Sequence, residues 1–392
     1  MSASASGSSE SPEPKVKIEK SSSDIKNINS RYALYLFSNN KHAASPETMG
    51  SEKNNKNDPK SDEEPSVCLS LLEGNLNAEQ ETVVRCFLLK TLSAREDLSF
   101  ENEGKYAALQ FSSENPELFG CYYHRLSKTT EDEENSKLST FFICLIGPAN
   151  GIMESFCPEL GKFCYSLIPL LDPEGLKDKD CMQNKLKSWN VHCIEYIERC
   201  IKLFGEDLSL VFLCALWGNV NVIAKDEQIK WDVEQFVDTC CLMPKDLQSK
   251  KDSVLISETD VAPTITVEDN KISINISSDY SMYCKKWFEK LKNCGQGDFL
   301  GMHNVLEAFR LKTVQDLNVL KRLVQKSQMD HYALYRAFLF LRASGYDDIL
   351  LYHVQKEASM AGENDVLDVI SCLRDFLKEE ENLPERRLAE KS

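Results

Sequence analysis

The chain has 392 residues, 42% hydrophobic and 28% charged, which is enough for a sizeable core and for two or three domains. Its 46 Lys and Arg face 62 Asp and Glu, a formal net charge of −16. That balance argues against nucleic acid and anionic lipid as main partners, because both need a positive surface to release counterions or meet phosphates, though it leaves room for local basic patches.

Residues 1–29 are rich in Ser, Lys and Glu and lack aromatics, so a disordered tail is expected there. Val16-Lys17-Ile18-Glu19 fits the aliphatic-Lys-x-Glu pattern of a SUMO acceptor. The opening MSASASGSSESPEP lacks the apolar run of a secretory leader. Six of the fifteen cysteines, Cys86, Cys144, Cys164, Cys193, Cys214 and Cys372, sit in apolar runs where free thiols behave as small hydrophobes. Reduced thiols in a cytosolic protein are therefore expected.

RYALYLF (Arg31–Phe37) has the composition of a strand. The polar stretch 38–65 is expected to be a disordered loop, after which SVCLSLLEG (Ser66–Gly74) gives a second strand. Asn77 is placed to cap a helix whose inward face carries Val83, Phe87, Leu88 and Leu92. Glu117–Lys128 and Lys137–Gly147 flank the acidic tip TTEDEENS and are expected to pair as a hairpin. IMESFCPELGKFCYSLIPLL then reads as a helix that Pro158 kinks or breaks. This order predicts a sheet with helices on one face, and it resembles longin-like domains of vesicle traffic.

From about Asp172 the pattern turns helical. NKLKSWNVHCIEYIERCIKLFG places Leu186, Trp189, Cys193, Tyr196, Ile197 and Cys200 at three- and four-residue steps. Leu208–Ala224 is the longest uncharged apolar stretch; it contains Gly218, Asn219 and Asn221 and falls short of the ~20 apolar residues a bilayer requires. A helix over Trp231–Cys241 follows, then the polar linker KDLQSKKDS. Alternating Ile272, Ile274 and Ile276 signal a strand, with Glu268–Lys271 as its turn. Tyr280–Asn293 is helical and ends at Cys294-Gly295-Gln296-Gly297.

From Phe299 the chain is almost all helix. Leu306, Phe309, Thr313, Leu317, Leu320 and Val324 form one stripe, with Glu307, Arg310, Asp316 and Lys321 pointing away from it. Asp330 caps the next helix and Gly345 ends it, with Leu334, Phe338 and Leu341 inside. Asp347 caps another. Asn364 opens the last, with Val366, Val369, Ile370, Leu373 and Phe376 inside.

The organisation expected is a tail at 1–29, an α+β domain at 30–172 and a mainly helical domain at 173–392 with a β/loop insertion near 254–278. The fold class is α+β: an N-terminal mixed sheet with packed helices, then a mostly α-helical C-terminal half.

Motifs of chemistry are missing from the sequence. There is no G-x-x-x-x-G-K-[ST] loop, and GQGDFLG (Gly295–Gly301) has the wrong spacing and follows a helix rather than a strand. Neither C-x-x-C nor H-E-x-x-H occurs; His192, Cys193 and Cys200 share a helix, but the two cysteines are seven residues apart, too far to hold one ion unaided. No G-x-S-x-G presents a nucleophile. Asp330-His331-Tyr332, Asp347-Asp348 and His353 lie close in sequence but read as helix punctuation. No catalytic, cofactor-binding or metal-ligating residue is therefore assigned, and a protein that is not an enzyme is expected.

Phe299-Leu300, Val305-Leu306-Glu307, Gln315-Asp316, Leu320-Lys321-Arg322, His331-Tyr332-Ala333-Leu334, Gly345 and Asp348-Ile349-Leu350-Leu351 carry a resemblance to the Njmu-R-one family. It is strong from Phe299 to Leu351 and thinner at YALYLFSN, CLSLLEGNL, GCYYHRL and FICLIG. The resemblance implies a non-enzymatic adaptor subunit of a trans-Golgi tethering complex. Its implied partners are a WD-repeat protein and a larger subunit, with golgin-linked machinery capturing adaptor-derived vesicles indirectly, and a role in spermatogenesis. Cytoplasmic placement, peripheral at the trans-Golgi network and vesicles, follows from the same resemblance. No interface residue is carried over. The other reading is a longin-like regulator of a small GTPase.

Overall fold

The computed structural model describes residues 30–40, 66–93, 104–112, 117–130, 137–172, 175–242, 263–268, 271–275 and 282–389. The expected tail at 1–29 with its Lys17 motif, most of the 38–65 loop, the acidic hairpin tip, the 245–253 linker and Ile276 lie outside the described residues.

Five strands form the main sheet: β1 (Arg31–Asn40), β2 (Ser66–Gly74), β3 (Lys105–Gln110), β4 (Leu118–Thr130) and β5 (Lys137–Pro148), in the order β2-β1-β5-β4-β3. The α+β class holds, but every pairing in this sheet is antiparallel rather than mixed. The expected β4–β5 hairpin is present, with Tyr122 opposite Leu145 and Leu126 opposite Phe141. β3 is an edge strand that the sequence reading missed. Of its six residues only Leu109 is buried, so its alternation is weak.

Helices cover both faces of the sheet, not one. Helix α1 (Ala78–Ser93) lays Val84, Leu88 and Leu92 against Ala33, Tyr35, Tyr123, Phe142 and Cys144. The opposite parity, including Tyr32, Leu34, Tyr122, Phe141 and Ile143, packs under the later helices. The central strands had signalled this: RYALYLF and FFICLIG are apolar at consecutive positions, whereas a half-solvated strand alternates. Within α1 the inward line is Val84, Leu88 and Leu92, and Val83 and Phe87 are only half-buried beside it.

After β5 the expected single helix is two, α2 (Ile152–Ser155) and α3 (Cys157–Ser166), followed by a 3-10 turn at Ile168–Leu170. Pro158 lies in the first turn of α3, where its missing N–H costs nothing, so the break falls before it at Phe156. Gly120 and Gly147 face each other across β4 and β5. A Cβ on Gly147 would come 2.9 Å from Met153 Sδ, so the missing side chain lets α2 seat on the sheet.

A two-stranded link, β6 (Leu171–Asp172) with β7 (Gly175–Leu176), leads to α4 (Lys179–Lys187), α5 (Trp189–Cys193) and α6 (Tyr196–Phe204). The sequence period had suggested one helix here. Ser188 interrupts it by turning its hydroxyl back to Asn184 O, and Ile194-Glu195 form a second break. α7 (Leu208–Trp217) is buried along nearly its whole length. β8 (Asn221–Ala224), β9 (Thr264–Glu268) and β10 (Lys271–Ile274) make a small sheet in the order β10-β9-β8, and α8 (Glu227–Cys240) follows β8 in sequence. α9 (Met282–Lys292), α10 (Phe299–Ser327), α11 (His331–Ser344), α12 (Asp347–Ala361) and α13 (Asn364–Ala389) complete the chain.

One apolar core runs without interruption from Tyr32 and Leu34 on the sheet through Phe212 and Phe309 to Leu373 on α13. None of the fifteen cysteines forms a disulfide; nine are buried, whereas Cys86, expected inside, is exposed together with Cys68. Among the described residues no helix is long and apolar enough to cross a membrane.

Candidate functional site

Asp330 caps α11 as expected, accepting from Tyr332 N–H at 2.8 Å, and Gly345 ends the helix at φ 76°. Asp347 does not cap α12. Tyr346 holds the cap position and Asp347 lies in the first turn, where its charge suits the helix N-terminus. His331 and Tyr332 point to solvent. His353 is turned inward, its Nε2 2.7 Å from Leu216 O at the end of α7. The sequence-adjacent acids and imidazoles are therefore not brought together. His192, Cys193 and Cys200 also stay apart in role: Cys193 and Cys200 are buried in the core, and the His192 ring stacks on Phe163. Among the described residues no group of three or more His, Cys, Asp or Glu is placed to hold a metal ion.

The buried polar groups that the sequence reading did not single out form braces between elements. Glu159 on α3 accepts from Tyr196 Oη at 3.1 Å and Thr239 Oγ1 at 3.0 Å, and its Oε1 lies 3.4 Å from His303 Nε2 on α10. Burial alone would raise the Glu159 carboxyl; hydrogen bonds from His303 and Thr239 and the imidazole charge outweigh it and hold the group below its usual value. Arg199 reaches Asp232 through two nitrogens at 2.6 and 2.8 Å and also donates to Val191 O. Asp316, expected to point outward, is buried: it accepts from Tyr346 Oη at 2.6 Å and pairs with Lys312. Tyr346 in turn stacks on Tyr283 at 3.9 Å, and Tyr283 Oη lies 2.9 Å from Thr313 Oγ1. Each cluster ties separate elements together through buried or half-buried polar groups.

An open feature among the described residues lies on the outside of the α10–α11 hairpin. A three-residue connection makes the two helices antiparallel neighbours. Leu320, Val324, Ala337 and Leu341 share the buried core, and Ala333, also buried, borders the groove. Toward the connection a groove of about 270 Å³ opens between the helices. Val319, Leu323, Tyr332 and Ala333 give it an apolar lining, and Arg322, Lys326 and Arg336 rim it beside Asp330. Tyr335 and Leu339 extend the exposed apolar surface along α11.

The sequence model of the Njmu-R1-like protein family matches residues 32–379, which takes in both the sheet and this hairpin. The chain belongs to that family. It is 28% identical over 373 residues to Protein Njmu-R1 of Mus musculus, covering 89% of this chain and 90% of the mouse protein. The family match thus spans both halves, not only the C-terminal helices where the resemblance is strongest in sequence.

Proposed function

We propose that this member of the Njmu-R1-like family is a non-enzymatic adaptor subunit of a trans-Golgi tethering complex. It would work with a WD-repeat protein and a larger subunit, assisting golgin-linked capture of adaptor-derived vesicles, at the cytoplasmic side of the trans-Golgi network and in spermatogenesis. Family membership over residues 32–379 carries this reading. The grooved, partly apolar hairpin supports it, because an exposed apolar patch rimmed by charge suits a binding surface. Affinity purification of the full chain from cells, read by mass spectrometry, is expected to recover a WD-repeat protein; a clean purification without one would overturn the proposal.

The sheet half favours a second reading, a longin-like regulator of a small GTPase. Strand, strand, helix, hairpin and helix follow one another there as in the sequence reading, with β3 added at the edge. Nucleotide-dependent binding of a Rab or Arf protein to the full chain, lost on substitution of exposed Leu71 on β2, is the outcome this reading requires.

A further inference from the structure

Residues 299–344 contain seven Lys or Arg against three Asp or Glu, in a chain whose net charge is −16. The cationic excess is not spread evenly. Lys312 is paired with Asp316, Lys321 with Glu357 and Arg310 with Glu307. Arg322, Lys326 and Arg336 are exposed and form no ion pair among the described residues. All three rim one groove, whose only carboxylate, Asp330, is engaged with the α11 backbone.

We propose that the α10–α11 groove is a docking site for a short acidic peptide segment with an aliphatic or aromatic anchor. The anchor would lie on Val319, Leu323 and Ala333 beside the Tyr332 ring, and carboxylates on either side of it would meet Arg322, Lys326 and Arg336. Three observations select this occupant. The groove is smaller than the roughly 300–1,000 Å³ of small-molecule pockets, so it holds a side chain or two rather than a whole ligand. Its lining is mostly apolar, which bare phosphates do not use. A membrane or a nucleic acid would present an extended anionic surface to the rest of the chain, which is strongly acidic, whereas a short peptide meets the hairpin alone. Guanidinium groups on the rim also suit bidentate recognition of carboxylates. Placing that segment on a partner subunit rests on the tethering-complex reading; the chemistry of the groove does not.

The test uses the full-length chain and two fluorescein-labelled twelve-residue probes, one of Glu-Glu-Leu repeats and one of Lys-Lys-Leu repeats, followed by anisotropy. The acidic probe is expected to bind at least tenfold tighter than the basic one, and more weakly as salt rises. R322E/R336E should weaken it tenfold or more with an unchanged circular dichroism spectrum and melting temperature, and R322K/R336K, which keeps the charge but loses the guanidinium fork, should weaken it by clearly less than R322E/R336E does. Val319→Ser should weaken it by removing apolar contact for the anchor while leaving the rim charges as they are. Equal binding to wild type and the charge-reversed double variant overturns the proposal. So does binding of phosphatidylserine vesicles that R322E/R336E abolishes, in the absence of peptide binding. In parallel, R322E/R336E is purified from cells. Loss of the WD-repeat protein places the segment in the assembly; its undiminished recovery, with peptide binding lost, overturns that placement alone. Absence of a WD-repeat protein from the wild-type purification removes the tethering reading and leaves the peptide result standing.

Discussion

His303 on α10 sets its Nε2 3.4 Å from Oε1 of Glu159 on α3, and both side chains are almost fully buried. The pair joins α3, seated beneath the sheet, to the long helix α10. Glu159 Oε2, His303 Nδ1 and Gln235 Oε1 have no partner among the described residues, so the cluster is only partly satisfied. Removing His303 leaves the desolvated Glu159 carboxylate with only the neutral hydroxyls of Tyr196 and Thr239 as partners. His303→Leu is expected to cost about 3–5 kcal/mol in urea unfolding, whereas E159L/H303L should cost clearly less than the two single changes added together. Additive losses would show that the two residues do not act as a pair.

His124 gives the fold a defined response to acid. It sits on β4, with Nδ1 2.9 Å from Tyr122 Oη and the ring edge-on to Tyr165 at 4.9 Å. Burial pushes its pKa down from 6.5 to about 4. Between those values the unfolded chain binds the proton and the folded one does not, so stability is full above pH 6.5 and is lost as the pH falls toward 4. His192 and His353 are lowered by burial too and act with the same sign. His124 alone accounts for about 3 kcal/mol across this window. Urea midpoints measured from pH 7 to 4.5 should fall for the wild type and fall less for His124→Gln; parallel curves would refute the assignment.

Tyr346 holds the buried Asp316 carboxylate with a 2.6 Å hydrogen bond and stacks on Tyr283. Tyr346→Phe keeps the stack and removes the hydroxyl, leaving Asp316 to Lys312 alone. A bond to a charged group of this kind contributes about 1.5–3 kcal/mol, and that loss is expected in thermal or urea unfolding. Tyr335→Phe, on an exposed side chain, is the control and should change nothing measurable.

Legibility in the sequence tracked how local each signal was. Asp330 and Gly345 could be read because a cap and a left-handed terminus are set by two or three neighbours. The α10 stripe could be read because Leu306, Phe309, Thr313, Leu317, Leu320 and Val324 all face one core, and all six are buried. Asp316 was misplaced because its partner, Tyr346, lies thirty residues away and supplies the hydrogen bond that makes an inward acid tolerable. Glu159 and His303 were invisible for the same reason at longer range. Strand β3 is an edge with one buried residue and thus hardly any period to detect. The groove did leave a trace, the run of unmatched basic residues from Arg322 to Arg336 in an acidic chain.

The α11 helix supplies the sharpest test of which face is inside. The sequence reading put Leu334, Phe338 and Leu341 there; the structure buries Ala333, Ala337 and Leu341 and leaves Leu334 and Phe338 half-covered. Phe338 meets Phe376 edge-on at 6.4 Å, and Phe376, expected inside, is exposed. Leu341→Asp should therefore disrupt the hairpin, costing more than about 4 kcal/mol because an unpaired charge enters the core. Phe338→Asp should cost less, since that carboxylate can turn toward water at the helix margin. His331→Asn should leave stability within about 0.5 kcal/mol of wild type, because His331 is exposed and Asp330 still caps the helix. Thermal melts of the three variants decide the order. A Phe338→Asp loss equal to that of Leu341→Asp would place the buried face where the apolar periodicity alone had put it.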